Sequence, residues 1–207
     1  KKPTGVAGEA MLRAETPQEQ FNLIGAGRRN LLINGSFGVW QRGTSSSGAL
    51  TNAYSSTDRW SFNTRNCTTR NISQEDFAAG QTEVEGNPTY FLRSEFSSNS
   101  GGTGPFIMQR IEDVTKTSGQ FITASFYAKS SLGGETIQFR YSQQFGSGGS
   151  SSTERDVEVF TLSSSWKKYV ITYQLASVSG KTIGTGNYLR LDFELPANTA
   201  ITFDISQ

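Results

Sequence analysis

Asp192 and Glu194 stand two apart in a run where Tyr188, Arg190, Asp192 and Glu194 alternate with Leu189, Leu191, Phe193 and Leu195. In an extended strand such residues share a face, so the two carboxylates lie roughly 6 to 7 Å apart at Cα, a spacing that could serve glycoside hydrolysis. Arg190 between them and Arg140 elsewhere are the counter-charges that a solvated sheet face ordinarily carries, and no second feature supports hydrolysis. The same residue types suit another chemistry. Sugar hydroxyls need directional donors and acceptors beside an aromatic face, and Tyr188, Gln138, Arg140, Arg190 and Asp192 supply both where their strands are neighbours. An ordinary exposed sheet face has the same composition. Trp40, Trp60 and Trp166 could act as stacking platforms, but each adjoins apolar strand residues and is expected to pack in the core.

Other chemistries are excluded by composition. The 207 residues contain no histidine, which removes the commonest general base, the commonest zinc ligand and every histidine-dependent nucleophilic triad. A single cysteine, Cys67, excludes an intrachain disulfide framework. With 19 basic and 18 acidic residues the formal net charge is +1, so nothing draws the chain to nucleic acid or to an anionic membrane. No apolar run approaches the length of a membrane span or signal peptide. The Ser-rich GSGGSSS stretch is not followed by a Lys-bearing helix and makes no phosphate loop.

Period-2 patterning positions the candidate residues. Ile122, Ala124, Phe126 and Ala128 alternate with polar neighbours, as do Ile137, Phe139 and Tyr141, then Tyr169, Ile171, Tyr173 and Leu175, and finally Ile201, Phe203 and Ile205. Further strands are expected at Tyr90–Phe96 and Phe106–Ile111, giving eight or nine in all. Phe126, Phe139, Ile171, Leu191 and Phe203 are the expected core. Twenty-two glycines, abundant Ser and Thr, and no helical crossovers imply mainly antiparallel sheets. An all-β antiparallel jelly-roll sandwich satisfies this best, and an up-and-down barrel is the alternative. The stretch QQFGSGGSSSTE reads as the most flexible loop.

The segment NLLINGSFGVWQRGT (30–44), followed by DRW at 58–60, predicts an entry strand at 31–33, a tight turn at Asn34-Gly35, a strand through Phe37, Val39 and Trp40, a long surface loop and a return strand at Trp60. These residues resemble the opening of jelly-roll domains in bacteriophage tail-fibre and related virion structural proteins, and the later element order resembles carbohydrate-binding modules. The resemblance implies a galactose-binding-like sandwich, a virion setting that is extracellular when functional, other virion proteins as partners, a host cell-surface glycan as receptor, and a homotrimer. It implies no catalysis. A purely architectural fibre or capsid-decoration domain and a capsule-degrading glycoside hydrolase remain the alternatives. Resembling modules often hold a structural calcium, which here would use Asn34 and Asp204. Calcium asks for six to eight oxygens and one carboxylate is evident, so the expectation is no cofactor.

Residues 1–29 lack alternation and read as a linker or stalk, with residues 30–207 as the sandwich. Thr16-Pro17-Gln18-Glu19 is a capping box that predicts a two-turn helix ending near Gly25. So short a helix is marginal alone, and Met11, Leu12, Phe21, Leu23 and Ile24 need partner surface, supplied either by their own domain or by identical segments of neighbouring chains. Termini at Lys1 and Gln207 are expected to continue into a longer polypeptide.

Overall fold

In a computed structural model of the protein, residues 6–13, 16, 30–98 and 103–207 are described. The chain divides into two compact units, Lys1–Ile33 and Asn34–Gln207. The first holds helix α1 (Val6–Arg13), with Glu9 in its first turn and Arg13 in its last, both favourable to the helix dipole. The helix found thus lies upstream of the capping box at Thr16. Its sequence, VAGEAMLR, has good helix formers but no Ser, Thr, Asp or Asn cap to announce it. The helix expected from Pro17 to Gly25 falls outside the described residues, as do Phe21, Leu23 and Ile24. Leu12 is 77% exposed.

The second unit is an antiparallel β-sandwich with eleven strands among the described residues. They are β1 (Ser45–Ser47), β2 (Trp60–Asn63), β3 (Arg70–Asp76), β4 (Tyr90–Phe96), β5 (Phe106–Glu112), β6 (Phe121–Ser130), β7 (Thr136–Gln144), β8 (Thr153–Thr161), β9 (Lys167–Gln174), β10 (Tyr188–Glu194) and β11 (Ile201–Ser206). A six-stranded sheet has the order β1-β3-β4-β11-β6-β9, and a five-stranded sheet the order β2-β5-β10-β7-β8. Apart from the consecutive pairs β3-β4 and β7-β8, neighbours in both orders are separated in sequence, as in a jelly roll, and the up-and-down barrel is set aside.

The alternation seen in sequence is the alternation of burial. Leu92, Ile137, Leu189 and Phe203 are fully enclosed between the sheets. Phe126, Phe139, Leu191 and Phe203 are buried as expected, and Ile171, in register with buried Tyr169 and Tyr173, is half-buried. Phe126 is the hub of an aromatic cluster. It stacks on Tyr169 at 5.4 Å between centroids and meets Phe160 and Phe193 edge-on at 5.5 and 4.8 Å, offset geometries that add to the burial energy. Of the three tryptophans only Trp60 is fully buried; Trp40 and Trp166 are half-buried, Trp166 against Phe77 and Phe91.

Four strands form the sheet margins. β1 is three residues long; β8 carries Glu154, Arg155, Asp156 and Glu158; β9 opens on Lys167 and Lys168. Along β2, the two backbone hydrogen bonds between Ala53 and Phe62, at 3.1 and 3.0 Å, lay the preceding loop against the free edge.

Three local expectations are corrected. Residues 31–33 and 37–40 form no strand; the segment is a looped structure whose backbone is bonded by side chains, as described below. A strand, β1, lies inside what reads as surface loop. The QQFGSGGSSSTE stretch is fixed: Ser147 and Thr185 exchange backbone hydrogen bonds of 2.9 and 3.0 Å, and Gly184 N–H donates to Phe145 O at 2.7 Å. The two chains can approach so closely because they meet at glycines. A Cβ on Gly146 would sit 2.4 Å from Thr185 O, and one on Gly184 would sit 2.1 Å from Ser147 O.

Truncating Phe126 to Ala should remove a ring that touches three others and lower the unfolding free energy by about 3 to 5 kcal/mol. A urea midpoint equal to that of the parent would mean that this cluster does not anchor the sandwich.

Candidate functional site

The outward face of the five-stranded sheet gathers the candidate residues because the register of its strands puts them there. Asp192 faces Arg140 and Glu194 faces Gln138 across β10 and β7, while Tyr188 faces Glu112 and Arg190 faces Arg110 across β10 and β5. Tyr188, Gln138, Arg140, Arg190 and Asp192 therefore share one face, as their spacing predicts. They do not converge on one point. Tyr188 and Glu194 lie at opposite ends of β10, about 20 Å apart by strand rise, and Gln138 is at the far end with Glu194.

The middle of this face is closed by ion pairs. Glu154 bridges both arginines, accepting from Arg190 and Arg140 at 3.1 Å each. Arg190 Nε lies 2.9 Å from both Asp192 oxygens. Arg140 reaches Glu194 at 2.8 Å and Asp156 at 2.9 Å. A register irregularity against β8, between Phe139 and Arg140, brings Asp156 opposite Arg140. Burial works against the Arg140 charge, but Glu194, Asp156 and Glu154 outweigh it and hold the guanidinium above its ordinary range. Asp192 is 1% exposed, so a ligand has almost no access to it.

At the Tyr188 end the face opens into a cleft of about 530 Å³. Arg110 and Glu112 of β5 and Tyr188 of β10 form its floor; Arg42, Tyr54, Asp58 and Arg59 come from the long loop before β2, and Gly186 and Asn187 from the loop before β10. The Arg110 guanidinium lies over the Tyr188 ring at 4.7 Å, and Tyr54 is 41% exposed. The cleft thus combines aromatic surface with charged donors and acceptors. Tyr188 is the one member of the predicted set that lines it.

The wall bearing Arg42, Asp58 and Arg59 is built by residues 34–42 and 57–60. Asn34, at φ 57, accepts from Val39 N–H at 3.0 Å through Oδ1, while its amide group approaches Val39 O, Asp58 O and Thr57 Oγ1 at 2.9, 3.0 and 3.2 Å. Asp58 accepts from Gln41 N–H at 2.7 Å and pairs with Arg42 at 3.1 Å. Trp60 donates to Asn34 O at 3.0 Å and packs on Phe37 at 5.1 Å between centroids. The opposite wall is held by the glycine contacts at 145–149 and 184, with Asn187 donating to Gly184 O at 3.0 Å and accepting from Val114 N–H at 2.9 Å.

Asn34 and Asp204 have separate roles. Asn34 is occupied as above, and Asp204, 3% exposed, is held by Arg93 through both oxygens at 2.8 and 2.9 Å. Among the described residues no group of three or more His, Cys, Asp or Glu side chains is placed to hold a metal ion, and no helix is long and apolar enough to cross a membrane.

No family model and no curated protein matches this chain. Solved structures with a similar course of chain include the N-terminal cellulose-binding domain of β-1,4-glucanase C from Cellulomonas fimi, with 13% identity, 70% of this chain and 83% of that chain covered, and a TM-score of 0.46. The CBM22-2 xylan-binding domain of Xyn10C from Paenibacillus barcinonensis gives 18% identity, 72% and 88% coverage, and a TM-score of 0.46. The enzymatically active domain of tailspike protein 4 of bacteriophage CBA120 gives 13% identity over 86% of this chain, which spans 20% of that one, and a TM-score of 0.45.

Burial pushes the Asp192 carboxyl up to about 6, against the pull of Arg190 and Arg140 and with a further push from Glu154. Between about pH 4 and 6 the folded chain therefore keeps a proton that the unfolded chain has released. Stability from this group is present at the acid end of that window and is lost as pH rises through 6, by about 3 kcal/mol in all. Asp192→Asn should remove that share of the pH dependence. The difference in unfolding free energy between parent and variant should slope between pH 4 and 6.5 and level off above 7; a flat difference would show that Asp192 does not titrate there.

Proposed function

We propose that this protein is a non-catalytic carbohydrate-binding sandwich, a fibre domain of a phage virion that recognises a host cell-surface glycan in the cleft beside Tyr188. The cleft carries the reading: a concavity of about 530 Å³ that joins Tyr54 and Tyr188 to arginine, carboxylate and asparagine groups suits a sugar ring and its hydroxyls. The virion setting is supported by the residues at 30–44 and 58–60, which resemble phage fibre domains and among which Arg42, Asp58 and Arg59 line that cleft. A non-catalytic role is supported by the state of the carboxylate pair. Asp192 is buried and held by Arg190, and Glu194 is tied to Arg140 and to Gly104 N–H, so neither stands ready to meet a glycosidic oxygen.

The isolated chain should bind surface polysaccharide of a host bacterium without releasing reducing ends, and Tyr54→Ala and Tyr188→Ala should each weaken binding about two- to tenfold, the range expected for losing an aromatic contact of about 0.5 to 1.5 kcal/mol. Release of reducing ends would make the protein a hydrolase, and absence of binding would leave it an architectural domain.

The virion reading also includes a homotrimer in which residues 1–29 of three chains share partner surface. Sedimentation of residues 1–207 should give a trimer, and a chain beginning at Asn30 a folded monomer. Monomers in both cases would reduce residues 1–29 to a strap.

A further inference from the structure

Three arginines lie at the Tyr188 end of the five-stranded sheet. Arg190 on β10 faces Arg110 on β5, and Arg59, in the turn that leads into β2 at Trp60, lines the same cleft as Arg110. Like charges directly opposite each other on neighbouring strands repel. For Arg190 that repulsion is answered by Asp192 and Glu154. For Arg59 and Arg110 no carboxylate lies within 4.0 Å among the described residues, although Glu112 is two residues from Arg110 on the same face and Asp58 adjoins Arg59. Asp58 is paired with Arg42. Both guanidiniums are exposed and both line the cleft.

The backbone at Arg59 points the same way. Arg59 has φ 70, a left-handed conformation that costs a non-glycine residue energy and that Asn or Gly would adopt more easily. The Asp58-Arg59 turn is over-determined by Asn34, which bonds Asp58 O, and by Asp58, which bonds Gln41 N–H. An arginine is thereby held in an unfavourable conformation in the same cleft as a second arginine, with no carboxylate within 4.0 Å of either among the described residues.

We infer that the cleft selects an anionic saccharide, one whose carboxylate or sulfate sits between Arg59 and Arg110 while the sugar ring lies against Tyr54. The inference rests on the carbohydrate-binding reading above and narrows it to a charge class. A planar, many-donor guanidinium matches a carboxylate or sulfate with paired charge-assisted hydrogen bonds. Arg110, already lying over Tyr188, is oriented before any ligand arrives, so less freedom is lost on binding. Glu112 remains as an acceptor for a neighbouring hydroxyl.

The test uses the whole chain and an array in which every acidic oligosaccharide has a neutral partner: uronate chains against their carboxyl-reduced forms, and sulfated chains against desulfated ones. The expected result is retention of acidic members over their neutral partners, weakened by salt, with the uronate and sulfate arms deciding which anion is read. Arg59→Asn, which relieves the backbone and removes the charge, should leave the thermal midpoint unchanged or raised. It should lower affinity for the retained acidic member by about 10- to 100-fold, the factor carried by one charge-assisted hydrogen bond. Arg59→Lys, which keeps charge without the fork, should fall between. Neutral members bound as tightly as acidic ones, and lost with Tyr54→Ala, would overturn the charge class and leave the carbohydrate reading in place. No member bound at all would overturn both, and acidic binding unaltered in both Arg59→Asn and Arg110→Gln would place the anion elsewhere.

Discussion

The carboxamide of Asn34 is the constraint on which the cleft depends. Two loop segments, 34–42 and 56–59, share one backbone hydrogen bond, Asp58 N–H to Val39 O at 3.1 Å, but no ladder, and each carries further backbone groups that need partners near the sheet. One side chain meets Val39, Thr57 and Asp58 and so substitutes for several ladder bonds. With that junction fixed, Trp60 can enter the core against Phe37 while still donating its indole N–H to Asn34 O. Asp58 and Arg59 are then carried to the cleft by the same short turn. The positive φ at Asn34 is one that this residue type tolerates better than most.

Charge on the five-stranded sheet is divided unequally. In the middle of the face two guanidiniums meet four carboxylates, Glu154, Asp156, Asp192 and Glu194, and every member has a partner. Such mutual saturation fixes side-chain positions and resists displacement by a ligand that would have to match all of the bonds at once. At the Tyr188 end the balance is reversed, and cations are left over. Rigidity next to an unsatisfied region is the arrangement that binding sites need, since the ordered part holds strands in register and the open part is free to make new contacts.

Much of the sandwich was legible in the sequence, because strands with one buried face declare their parity. Leu189, Leu191 and Phe193 on β10 are all buried, and the polar set between them does share the opposite face. Strands without such a face were not legible. β8 lies at a margin and places charged residues at both parities, and β3 has one fully buried apolar residue, Ile72. The NLLINGSFGVWQRG segment misled for a physical reason: its apolar residues look like alternation, but its backbone is bonded by Asn34 and Asp58 rather than by a neighbouring strand. Which polar residues would be mutually satisfied and which left over was beyond the sequence, since it depends on how the fold places residues as far apart as Arg59 and Arg110, or Arg140 and Glu194. Gly146 and Gly149 read as slack, though their lack of side chains is what lets two backbones touch.

The margins of the two sheets carry a consequence for crowding. An unpaired strand is a template for another chain, and a sandwich has four of them. Here one is three residues long, one is overlaid by its own loop through the Ala53–Phe62 bridge, one is studded with alternating acid and base, and one opens on two lysines. Copies held side by side at high local concentration would therefore find few strands to zip onto. A molecule guarded in this way can be displayed in dense arrays, each copy keeping its own cleft open, without the sheets fusing into one another.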